Sequence, residues 1–61
     1  MKHTEHQYID IGYRYERATS LQSGQAAAQA IRTMLESETI EDRTEARQLV
    51  ERGRQEARVT S

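Results

Sequence analysis

Cysteine, proline, tryptophan and phenylalanine are all absent from this 61-residue chain, and only three glycines and three tyrosines are present. Each absence excludes something. Without cysteine there is no disulfide, no thiolate nucleophile and no thiolate-ligated metal, and the redox compartment leaves no mark. Without proline nothing forces a helix to break. Without the two largest apolar aromatics there is little bulk from which to build a core. A chain of this length buries only ~60% of the surface it exposes when unfolded, and such small scaffolds usually lean on a disulfide, a metal or a partner chain. With no disulfide and no evident structural metal, a partner chain is the expected support.

An excess of charge of one sign is missing too. Nine basic and ten acidic residues leave a net charge of -1, so nothing draws the chain as a whole to nucleic acid or an anionic membrane. No apolar run approaches the ~20 residues of a membrane span. Met1-Lys2-His3-Thr4-Glu5-His6 contains no apolar stretch of the signal-peptide kind, and a cytoplasmic location is the expectation. Charged residues make up 31% of the chain and the mean hydropathy is -0.99. Disordered chains reach similar values. The balanced charge and a clear helical periodicity argue for a folded one.

What the chain does have is alanine, arginine and helical spacing. Thr4-Glu5-His6-Gln7 fits a capping box, with a hydroxyl at the N-cap and glutamine at the third helical position. Tyr8, Ile11, Tyr15 and Ala18 then share one helical face, flanked by Ile9 and Tyr13. This predicts a helix over about residues 5–20. The segment Ile9–Glu16 also alternates apolar and polar residues, which is the period of a half-exposed strand. The cap and the stripe favour the helix.

The small polar residues from Thr19 onward can cap a new helix at Ser20 or Ser23. Leu21, Gly24, Ala28, Ile31 and Leu35 continue the helical spacing. A second helix over about residues 23–37 therefore either starts here or continues the first. Thr39, followed by Glu41 and Asp42, suits the start of a final helix over about residues 40–58. Its apolar positions Ala46, Leu49, Val50, Gly53 and Ala57 form a narrow seam. Gly53 costs about 1 kcal/mol in helix propensity, which a close helix crossing would offset. The short connection before this helix predicts antiparallel packing on the Gln25–Leu35 segment, with Ile31 and Leu35 in the core. The expected architecture is all-α, a single small hairpin or bundle completed by homo-oligomerisation.

Tyr8, Ile11, Tyr13, Tyr15 and Ala18 are the expected contact surface for a second copy, because tyrosine combines contact area with a hydroxyl for a wet rim. Arg43, Arg47, Arg54 and Arg58, spaced 4, 7 and 4, line one stripe and could face an acidic partner. Residues 38–61 hold six acids against five arginines, so a self-paired, solvated face is the plainer reading. Met1 and His3 supply an amine, two amides and an imidazole in the pattern of a square-planar Cu(II) or Ni(II) site, with His6 one turn away. Any chain with histidine in third position has this pattern. It is read as adventitious, and no metal or other cofactor is expected. No nucleophile motif, phosphate-binding loop or zinc-binding motif occurs, so catalysis is not expected either.

The function this predicts is that of a small regulatory or adaptor protein that binds itself and another protein. In size and style it is comparable to phage- or plasmid-borne inhibitors. If residues 8–16 were a strand, the order strand, helix, helix, with Leu21-Gln22-Ser23-Gly24 before an alanine-rich helix, resembles ribbon–helix–helix regulators and antitoxins. That resemblance implies a dimer that reads DNA. Against it, Glu38, Glu41 and Asp42 stand where such folds grip phosphate. The outward side chains Asp10, Arg14 and Glu16 suit base reading poorly. Neither nucleic acid nor membrane is expected as a partner.

Overall fold

The computed structural model describes residues 1–60 and contains three helices: α1 (Glu5–Arg17), α2 (Leu21–Glu36) and α3 (Ile40–Thr60). The protein is all-α, with no strand among the described residues. Residues 8–16 lie wholly within α1. The helix expected there is present, and the alternative strand, with the ribbon–helix–helix topology built on it, does not form: a capping box at the start of a continuous helix outweighs a short apolar alternation. The Thr4 hydroxyl accepts from the Gln7 backbone N–H at 3.2 Å, and the Gln7 side-chain oxygen accepts from the Thr4 N–H at 2.8 Å.

A single helix through Gly24 does not form. Ala18 is extended, Ser20 is the next N-cap, and the Ser23 N–H donates to the Ser20 hydroxyl at 3.1 Å. The first helix thus ends at Arg17, before residue 20. At the next junction the Asp42 N–H donates to the Thr39 hydroxyl at 3.2 Å. The acids in the first turn of α3 then face its positive end.

The packing order differs from the expected one. α3 does not rest mainly on α2; its principal neighbour is α1, and α2 and α3 touch least of the three pairs. α2 folds back antiparallel to α1, so that the Tyr8 hydroxyl near the start of α1 reaches the Met34 carbonyl near the end of α2. α3 runs in the same sense as α1. Tyr8 packs with Ala46 and Val50, and Glu16 pairs with Arg54 and Arg58.

Two glycines explain this choice. A Cβ built at Gly12 would overlap the Val50 carbonyl, and one built at Gly53 would overlap the Ile9 carbonyl and the Tyr13 amide. The backbones of α1 and α3 are in direct contact, which no other residue type permits. Ala46 and Ala57 extend the contact along α3, and both are buried. The helix-propensity cost of Gly53 is thus offset by a close crossing, as its place on the seam predicted. Tyr8 is the largest wholly buried side chain among the described residues. Ile11, Ile31, Met34, Leu35 and Leu49 pack around it while staying partly exposed, so Ile31 and Leu35 sit at the core's edge rather than at its centre.

Candidate protein-docking groove

α2 carries Gly24 and Ala28 where larger side chains would have closed the space between it and α3. Because both helices lean on α1 instead of on each other, a groove is left open. Toward the core it is lined by Tyr15, Ala28, Ile31, Val50 and Arg54, around about 240 Å³. It continues outward over Ala18, Leu21, Gly24 and Gln25, around about 470 Å³. Leu21 stands at this outer end and is 80% exposed. Its position as the first residue of α2 places it beyond the reach of the chain's own core.

The α3 side of the groove is charged and internally paired. The Arg54 Nε donates to Glu16 Oε1 at 3.0 Å and Arg54 Nη1 to Glu51 Oε2 at 3.3 Å. Arg58 pairs with both acids, at 3.3 Å to Glu16 and 3.8 Å to Glu51. The Arg54 guanidinium also lies 5.2 Å from the Tyr15 ring centroid, holding that ring in the groove wall. Hydrogen bonds from Arg54 and then Arg58 hold the Glu16 carboxyl below its ordinary value of 4.5. A carboxyl lowered in the folded state supports the fold above its unfolded pKa, and that support is lost as pH falls through the lowered value. Replacing Glu16 by glutamine should therefore remove part of the acid destabilisation below about pH 4.5. Thermal melts of both proteins across that range check it; parallel pH profiles would refute it.

The expected contact residues are dispersed. Tyr8 is inside the chain's own core, where its hydroxyl donates to the Met34 carbonyl at 3.1 Å. It cannot head an exposed patch. Ile11 faces the opposite side, toward Ala26, Ala27 and Ala30. Tyr13 is half-buried, and its hydroxyl accepts from Arg17 at 2.9 Å. Tyr15 is exposed on the groove, and Ala18 is half-buried where the two sides meet. A stripe that looks continuous on a helical projection is divided because α1 lies between the other two helices.

The arginine stripe is divided as well. Arg43 donates to the Leu35 carbonyl at 2.9 Å and to the Glu38 carbonyl at 3.1 Å, so it caps the negative end of α2. Arg54 and Arg58 belong to the Glu16 network, and Arg47 is exposed. They do not form a common face toward an acidic partner.

At the N-terminal end the Lys2 N–H donates to Glu38 Oε1 at 2.7 Å, and the His3 ring meets Tyr8 edge-on at 5.6 Å. A copper or nickel site on Met1 and His3 would need the Met1 amine, which pairs with Asp42 at 3.6 Å, and the Lys2 amide nitrogen, so it would have to undo both contacts. Glu38, only 5% exposed, is the feature that sequence reading missed. It looked like one acid of a solvated connection, and its burial depends on the N-terminal segment crossing the α2–α3 turn.

No protein-family model, curated protein or solved structure matches the chain. Among the described residues no cluster of three or more histidine, aspartate or glutamate side chains is placed to hold a metal, and no helix is long and apolar enough to cross a membrane.

Proposed function

We propose that the protein is a small regulatory or adaptor module that works by binding protein chains, a second copy of itself included, rather than by catalysis. The observation that supports this is the open groove between α2 and α3. Val50 of the core and the half-buried Ile31 line it, and Leu21 stands exposed at its end. A helix laid there would complete a bundle that the chain leaves unfinished, in the manner of helix-in-groove recognition.

The basic residues give no support to a nucleic-acid role. Arg54 and Arg58 are neutralised by Glu16 and Glu51, and Arg43 is committed to the end of α2. Phosphate tracking needs a basic excess that this surface does not present.

If the groove is filled by association, stability must depend on protein concentration. The midpoint of thermal unfolding should rise as the protein is concentrated from low micromolar to near millimolar, and the sedimenting mass should rise with it. A midpoint independent of concentration, together with a monomer mass throughout, would overturn self-association.

A further inference from the structure

We propose that the groove is closed by the same face of a second copy, with α2 packed antiparallel on the partner's α2 about a twofold axis near Gln25. This rests on the self-association reading and names its surface.

The first argument is charge. Residues 18–31 carry no charged side chain, in a chain that is 31% charged. The opposite wall carries Glu16 and Arg54, which with Glu51 and Arg58 form a network of equal opposite charges. A face with no net charge meets its own copy without like-charge repulsion, whereas a strongly acidic or basic partner would gain little from it.

The second argument is chemistry. Gln22, Gln25 and Gln29 form an exposed stripe along α2. Each amide both donates and accepts, so Gln25 can pair with its own copy across the axis, which an acidic or basic residue there could not.

The third argument is fit. With the axis at Gln25, Leu21 of each copy falls opposite Ala28 and Gln29 of the other. That sets an 80% exposed leucine over the space left by Ala28. Both copies gain the same contact, as a twofold interface requires. A stable pair needs about 800 Å² from each copy, roughly a fifth of the 4450 Å² this chain exposes.

The test uses Gln25, which is exposed and can change without touching the core. Gln25→Glu or Gln25→Lys sets two like charges beside the axis, and each should weaken the dimer about tenfold or more. Mixing the two variants should restore association as a mixed dimer. Because the chain has no cysteine, Gln25→Cys should also cross-link into a disulfide dimer under mild oxidation, while Thr44→Cys on the exposed surface of α3 should not. Wild-type dimerisation unaffected by either charged variant would overturn this surface and leave self-association standing. A wild-type protein that stays monomeric would overturn both.

Discussion

Gly53→Ala should be among the most damaging single substitutions in this protein, although alanine is the better helix former by about 1 kcal/mol. The added methyl would overlap the Ile9 carbonyl and the Tyr13 amide, both backbone atoms that cannot rotate aside. The helices must separate to admit it, opening the contact that Ala46, Val50 and Ala57 make with α1. Overpacking typically costs 1–3 kcal/mol and occasionally more; against backbone on both sides, about 3 kcal/mol net is the expected loss. A domain of this length holds only about 3–9 kcal/mol in all, so the thermal midpoint should fall by at least ~10 °C. Gly12→Ala should behave alike, its methyl striking the Val50 carbonyl.

The double variant should cost less than the sum, because separation that admits one methyl makes room for the other. Gly24→Ala is the internal control. A Cβ there would meet only the Ala18 methyl at 3.9 Å, so stability should hold or rise by about 0.5–1 kcal/mol. Circular-dichroism melts of the three single variants decide the matter. Equal effects at the three glycines would mean that the α1–α3 backbone contact does not hold the fold together.

Tyr8→Ala should leave the chain largely unfolded at room temperature. Tyr8 is wholly buried at the meeting point of all three helices, against Ala46 and Val50 and under the end of α2. Truncating a buried aromatic costs about 3–5 kcal/mol, comparable to the entire stability of so small a domain. Tyr8→Phe isolates the hydroxyl and should cost about 1 kcal/mol. The Met34 carbonyl would still accept from the Ser37 hydroxyl at 2.6 Å, so no buried acceptor is orphaned.

The same residue sets an alkaline limit. Burial first, and then the nearby Glu38 charge, raise the Tyr8 phenol above its ordinary 10.0. Hydrogen bonds with Thr60 and then Arg17 lower Tyr13. A raised folded-state pKa supports the fold in full below the unfolded value and is lost as pH climbs from there through the raised one. In an absorbance titration Tyr13 should therefore ionise before Tyr8, and ionisation of Tyr8 should coincide with loss of helix. Tyr8 ionising early in a still-helical protein would show that it is not buried.

Much of the local structure could be read from the residues one at a time. Thr4 with Gln7 and Thr39 mark the first and last helix starts, and Ser20 was one of two candidate caps between them, because a capping hydroxyl acts on amides two or three positions away. The place of Gly53 on the seam was also legible, since a glycine inside an otherwise good helix asks for a close neighbour. Gly12 gave no such signal. It fell on the polar beat of an apparent strand alternation, and its role exists only once α3 lies against it. Glu38 was hidden for a similar reason, its burial arising from Lys2, 36 residues away.

By itself the sequence determined that the chain is helical, where the first and last helices begin, and that no disulfide could support it. These follow from backbone capping, side-chain spacing and composition, which act within a few residues. Only the tertiary structure decided that α1, not α2, is the neighbour of α3, that Tyr8 is core, and that Tyr15, Leu21 and Ala28 border one groove. Those outcomes depend on which helix faces allow the closest approach. The two facing glycines gave α1 and α3 a backbone contact that the alanines of α2 could not match, and the groove is the space left by that preference.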